Sequence, residues 1–138
     1  MSNIDNIMKD LVIANRILAN ENVVDAYGHV SIRHPDKPNH FFLARSLAPE
    51  LVTGDDIMEF TLECAPCNDS RKPFIERFLH GGIYQKRADV MAVAHGHSAA
   101  VIPFGLVNTP MHATIARFIS RPFFSVQPGR LNGAMMSL

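Results

Sequence analysis

Cysteine is scarce in this chain, charge of either sign is not in excess, and long apolar runs are missing. The two cysteines among 138 residues are too few for a disulfide framework. Both fall in Cys64-Ala65-Pro66-Cys67, and a single CxxC without a second ligand pair is a weak zinc signal. Pro66 and the polar run Asn68-Asp69-Ser70 predict a hairpin loop there, with two reduced thiols, rather than the helix start of a redox motif. Lys plus Arg and Asp plus Glu are 13 each, so the formal net charge is zero and no basic stripe forms, which argues against a dedicated nucleic-acid binder. No apolar run approaches the roughly 20 residues that cross a bilayer. The start, Met1-Ser2-Asn3-Ile4-Asp5, lacks the basic and apolar regions of a signal peptide. The expectation is a cytoplasmic protein whose partners include neither membrane nor nucleic acid. Charged residues are only 19% and apolar residues 47%, which excludes a disordered chain and provides for a real core in one domain. No internal repeat or low-complexity segment is present.

What is there reads as alternating helices and strands. Ile4, Ile7, Met8, Leu11, Ile17 and Leu18 keep helical spacing, with Lys9, Asp10 and Arg16 between them, and predict a helix ending near Glu21-Asn22. Val30 to Arg33 alternates like a strand, and Phe41 to Ala44 reads as its hairpin partner across a turn flanked by Pro35 and Pro38. His34 and His40 beside that turn are expected to be exposed. Ile57 to Leu62 is a third strand, preceded by the polar turn Thr53-Gly54-Asp55-Asp56. Pro73 is expected to open a helix that carries Glu76 and runs to about Lys86. Val90 to Gly96 reads as a fourth strand, and Ser98 as the cap of a short helix ended by Pro103 and Gly105. The pattern is α/β, a sheet covered by helices.

One constellation carries chemistry. His95 and His97 are two apart on the fourth strand, so their imidazoles share a face. Glu76, on the helix before it, can bring a carboxylate to the same point. Two histidines and a carboxylate with open positions make a catalytic divalent-metal site. His80 follows Glu76 by four residues and either supports the site or packs the helix. His29, after Gly28 at a strand entry, is a candidate substrate-site residue. Arg45 and Ser46, beyond the second strand, are candidates for holding a carboxylate, since arginine pairs with it bidentately.

These residues carry a resemblance. The segments Asp25 to Arg33, Ser46 to Val52, Glu76 to Tyr84, Ala92 to Ser98 and Val101 to Gly105 resemble the class II aldolase/adducin family, over roughly residues 4–110. The resemblance implies an α/β/α layered domain with a central, mostly antiparallel sheet, often assembled as a homotetramer. It implies a divalent ion, zinc above manganese or another, held by His95 and His97. It implies that Glu76 is a ligand or the acid/base that exchanges protons with an enediolate. Gly28, His29, Arg45 and Ser46 are the candidates, from their own positions, to border the substrate, with solvated loop residues as the alternative for Arg45 and Ser46. The reaction implied is carbon–carbon cleavage, by aldol or decarboxylase chemistry, of a small hydroxylated carbonyl or carboxylate. Glu76 or His29 would deliver the proton to an enolate that the metal stabilises.

The chain departs from the family in three places. Gly28-His29 stands where sugar-phosphate aldolases carry Gly-Asn, which looks more like the decarboxylase branch. Phe74 and Ile75 replace the small hydroxyl residues that bind phosphate, so phosphorylated sugars are expected to bind weakly. The family's third metal histidine lies further along, and His112 is the only histidine after His97. Residues 1–120 are therefore expected to form an incomplete domain of this type, and residues 121–138 an atypical, poorly packed tail. The rival expectation is an inactive member or an adducin-like interaction module.

Overall fold

The computed structural model of the protein describes residues 3–99 and 102–107. Helix α1 (Asn3–Asn20) leads into strand β1 (His29–Arg33), followed by β2 (His40–Ala44) and β3 (Ile57–Thr61). Helix α2 (Arg77–Lys86), β4 (Ala92–His95) and the short α3 (Ile102–Leu106) complete the described order. The strands form one sheet in the order β3-β2-β1-β4, and every pairing is antiparallel.

Both faces of the sheet are covered, which makes the α/β/α layers. Side chains alternate across a strand, so Phe41 and Leu43 of β2 point to one face and Phe42 and Ala44 to the other. The first pair packs with Met58, Phe60, Cys64, Val93 and Tyr84 of α2. The second pair packs with Val30, Val52, Ile57 and Leu11 of α1. Asn15, buried in α1, joins helix to sheet: its Nδ2 donates to the Leu11 carbonyl at 2.8 Å and its Oδ1 accepts from the Val30 N–H at 3.3 Å.

Several elements differ from the sequence reading for identifiable reasons. Pro73 does not open a helix; it bridges to Arg45, and α2 starts at Arg77 with Glu76 at its N-cap position. The fourth strand is Ala92–His95, shorter than Val90 to Gly96; before it, the Val90 carbonyl accepts from the Arg33 side chain. Helix α3 contains Pro103 and Gly105 rather than ending at them; proline is tolerated in a first turn, where its missing N–H would have no helical partner. His34 is buried, not exposed, because its Nδ1 accepts the Asp36 and Lys37 backbone N–H groups, each at 3.1 Å. His40 is half-buried against Glu59 at 2.6 Å. The tail and His112 lie outside the described residues.

The CxxC segment is a loop, with the Cys64 N–H bonded to the Thr61 carbonyl and the Cys67 N–H to the Glu59 carbonyl. Both thiols are free, yet they face different surroundings. Cys64 is in the core under α2, where a Cβ added at Gly81 would sit 2.3 Å from its Sγ and 2.7 Å from the Leu62 carbonyl oxygen. Gly81→Ala should therefore lower stability by about 1–3 kcal/mol. The neighbouring Gly82 has nothing within 4 Å of its added Cβ, so Gly82→Ala should be neutral or stabilising by up to about 1 kcal/mol. Urea unfolding of both variants checks this, and equal effects would contradict the packing account.

Candidate metal centre

Three elements meet at one end of the sheet. β1 begins at His29 and pairs it with His95, the last residue of β4. Gly28 and Gly96 flank this pair, and a Cβ on either would lie 2.9 Å or less from Val24 atoms. That close approach draws the loop before β1 and the loop after β4 together. The start of α2 brings Glu76 to the same end.

The donor atoms of Glu76, His95 and His97 all lie within 4.8 Å of one another. The Nε2 atoms of His95 and His97 are 3.1 Å apart, their rings edge to face. Glu76 Oε1 is 4.0 Å from His95 Nε2, and its Oε2 is 3.6 Å from His29 Nε2. His97 lies two residues past β4, so strand alternation alone does not aim it.

The donor set fits a divalent ion. Ligands about 2.0–2.1 Å from a tetrahedral ion lie roughly 3.3 Å from each other, close to the observed histidine pair. Burial, then the neighbouring His97, pushes the His95 imidazole below its ordinary value, which favours the neutral form that ligates metal. His97 Nδ1 faces Asp25 Oδ1 at 3.4 Å, the carboxylate partner that orients a metal-binding imidazole. Burial pushes the Asp25 carboxyl up, but hydrogen bonds from the Tyr27 N–H and His97 outweigh it and hold it below the usual range. Asp25 was not singled out in the sequence, where it lies 72 residues from His97.

Behind the cluster, His29 is 1% exposed and wedged between Phe74 at 4.3 Å and His95 at 5.1 Å, ring centre to ring centre. Burial, then the charge of His95, lowers it to about 4. His80 contacts it from α2, His80 Nε2 to His29 Nδ1 at 2.8 Å, and burial lowers His80 to about 3. His80 is thus buried on α2 and in contact with His29. Arg45 directs its Nε to Asp56 at 2.7 Å, and the Ser46 N–H goes to the Lys72 carbonyl. No contact to the Glu76 cluster was found for either among the described residues.

A second group, His40, Glu59 and Cys67, also brings its donor atoms within 4.8 Å. Here the Lys37 ammonium sits 2.7 Å from Glu59 Oε1, and burial, then the charge of Glu59, raises the Cys67 thiol. A cation already occupies this carboxylate and the thiol is held protonated, so the group reads as an ion-pair cluster.

Residues 9–130 match the family model described as Class II Aldolase and Adducin N-terminal domain. Decarboxylase tropJ of Talaromyces stipitatus is 38% identical over 102 residues, which span 72% of this chain and 38% of that protein. Among solved structures, L-fuculose 1-phosphate aldolase from Glaciozyma antarctica superposes with a TM-score of 0.67 at 28% identity, over 75% of this chain and 44% of its own. An aldolase II superfamily protein from Pseudomonas syringae superposes at 0.64 with 24% identity, over 71% and 41%. The chain thus spans less than half the length of each of these relatives. No helix among the described residues is long and apolar enough to cross a membrane.

Proposed function

This chain belongs to the class II aldolase and adducin N-terminal domain family, and on that premise we propose that it is a divalent-metal-dependent carbon–carbon lyase of decarboxylase type. Its substrate is a small hydroxylated carbonyl or carboxylate compound. The observation that carries this reading is the convergence of Glu76, His95 and His97. His95 and His97 would hold the ion, zinc or manganese, with Glu76 either its third ligand or the acid/base. A divalent ion supplies Lewis-acid stabilisation of negative charge on the substrate oxygen beside the breaking bond.

The chain's own residues do the rest. Glu76 is 37% exposed and so within reach of substrate. Its carboxyl, where it is not a ligand, or else His29 behind it, would return a proton to the carbon that loses carbon dioxide. Arg45 and Ser46 would contact the substrate carboxylate. Arg45 bridges to Pro73, which runs the end of β2 beside the segment leading to Glu76. Gly28 would border the pocket through its backbone. The decarboxylase reading is favoured over sugar-phosphate cleavage by the tropJ likeness and by Phe74 and Ile75, which carry no hydroxyl. Calorimetry with L-fuculose 1-phosphate should show weak or no binding, and tight binding would move the reading to aldolase. A homo-oligomer, a tetramer by resemblance, belongs to the same reading. Ile75 and Phe78, 78% and 56% exposed beside Glu76, support it as apolar surface in want of cover. The free thiols of Cys64 and Cys67 agree with a reducing cytoplasm.

Zinc competition with a chromophoric chelator tests the centre. His95→Ala should weaken zinc binding by more than about 100-fold, beyond the about 10–100-fold loss that follows removal of an orienting partner. Asp25→Asn should fall within that smaller range. Wild-type affinity in His95→Ala would sink the metal centre and leave the adducin-like interaction module as the better reading.

A further inference from the structure

Behind Glu76, four buried side chains form a continuous hydrogen-bonded chain. The Tyr84 and Ser31 hydroxyl oxygens are 2.7 Å apart, and Ser31 Oγ is 2.6 Å from His80 Nδ1. His80 Nε2 is 2.8 Å from His29 Nδ1, and His29 Nε2 faces Glu76 Oε2 at 3.6 Å. Tyr84, Ser31, His80 and His29 are each 0–1% exposed, so bulk solvent does not reach them.

A neutral imidazole has one donor and one acceptor, and a serine hydroxyl has one donor and two acceptor sites. Two orders keep the Ser31 proton inside the chain, while a third, with Ser31 accepting from both Tyr84 and His80, turns that buried proton away from both neighbours and is unfavourable. Toward Glu76, Tyr84 donates to Ser31, Ser31 to His80 Nδ1, and His80 Nε2–H to His29 Nδ1. His29 is then protonated at Nε2 and points that donor at the carboxylate. Every donor inside the chain finds an acceptor, and the His29 Nε2–H is left facing the Glu76 carboxylate at 3.6 Å. In the reverse direction, a bare His29 Nε2 faces the lone pairs of Glu76. The Tyr84 proton must also find an acceptor at the far end, where the neighbour is the Val93 backbone N–H, itself a donor. The reverse order opposes two lone pairs and strands a buried hydroxyl, and both are unfavourable.

We propose that Tyr84, Ser31 and His80 lock His29 as its Nε2–H tautomer, so that it is a fixed donor to Glu76 and not a metal ligand. His29 Nε2 is a buried atom without a hydrogen-bond partner, and a small rotation of the part-exposed Glu76 carboxylate supplies one. The two carboxylate oxygens are thereby sorted. Oε2 is taken by His29, and Oε1, on the His95 side, is left for the ion or the substrate. The inference rests on the proposed function only in treating Glu76 as the carboxylate of the site.

The test is two-bond proton–nitrogen correlation on the full chain labelled with ¹⁵N-histidine, without metal, with each ring assigned by single His→Gln variants. Wild type should show His29 protonated at Nε2 and bare at Nδ1. Glu76→Gln should leave that tautomer in place, because the chain behind His29 sets it. Ser31→Ala should release it, raising the Nδ1–H form of His29 by about tenfold or more, the scale of a hydrogen bond no longer made. An Nδ1–H form in wild type, or a tautomer that flips in Glu76→Gln, would overturn the lock. Should Ser31→Ala not fold, those two spectra still decide it. Added zinc should move the His95 and His97 signals and leave the His29 Nε2 proton in place; its loss to zinc would also overturn the proposal. Zinc that moves neither His95 nor His97 refutes the metal reading alone, since the tautomer is read without metal.

Discussion

Lowering the pH from 7 to 5 in metal-free buffer is expected to remove about 4 kcal/mol of folding stability, read from urea midpoints. The effect comes from His29 and His80. Burial is the main cause that lowers the first to about 4 and the second to about 3, from an ordinary value of 6.5. In the unfolded chain both imidazoles take up protons as the pH falls through 6.5. In the folded chain they stay neutral until about 4 and 3. The unfolded state therefore binds more protons throughout this window, and stability rises with pH across it. Each pH unit below 6.5 costs about 1.4 kcal/mol per histidine, so the 1.5 units down to pH 5 cost about 2 kcal/mol for each.

The window separates this effect from the carboxylates. Asp56 is held below its usual value, chiefly by the hydrogen bond from the Thr53 hydroxyl and also by Arg45, against an upward push from burial. Its contribution is present above about pH 4 and is lost only on further acidification. Loss between pH 6.5 and 5 thus reports the histidines. His80→Gln should show about half the dependence, with His29 left to supply the rest. A midpoint that stays flat from pH 7 to 5 would mean that neither imidazole is buried as described.

The histidines of the site differ in how legible they were in the sequence. His95, His97 and Glu76 could be found because two of them are near neighbours and the third opens an adjacent helix. Residue type and spacing bring His95 and Glu76 to one end of the sheet, while His97 reaches them from beyond the end of β4. The chain from Tyr84 to His29 could not be read this way. Ser31 and Tyr84 are 53 residues apart, and nothing local indicates that β1 turns its serine toward α2. Asp25 is hidden for the same reason: its tie to His97 exists only because Gly28 and Gly96 let two loops close on Val24. Local signals misled where a tertiary partner overrode them. Pro73 looked like a helix start, yet its pairing with Arg45 delays α2 to Arg77. The prolines near His34 suggested exposure, yet the ring turns inward to accept two N–H groups of its own turn.

Arg33 was read as one residue of a strand, and it is expected to be among the most sensitive positions in the chain. It is 7% exposed, a depth that arginine reaches only when its donors are satisfied. Four carbonyls satisfy them: Nε donates to Val90 at 3.0 Å and Nη1 to Pro38 at 2.9 Å, while Nη2 donates to Tyr84 at 2.8 Å and Arg87 at 3.0 Å. The guanidinium carbon also lies 4.7 Å from the centre of the Tyr84 ring. One side chain thus closes the C-terminal end of α2, where helical carbonyls lack partners and a positive charge is favoured. It also fixes the turn after β1 and the approach to β4. Arg33→Met fills similar volume but leaves all four carbonyls without this donor. Each charge-assisted bond contributes about 1.5–3 kcal/mol. With part of the loss recovered by relaxation, the expected destabilisation is about 3–5 kcal/mol, comparable to breaking a buried ion pair. That corresponds to a melting point lower by roughly 10–15 °C. Arg33→Lys keeps the charge but cannot span the fork, so it should fall between Met and wild type. Because Tyr84 heads the chain that ends at Glu76, Arg33→Met should also disturb the His29 ring signals. A variant as stable as wild type would mean that water satisfies the four carbonyls as well as Arg33 does.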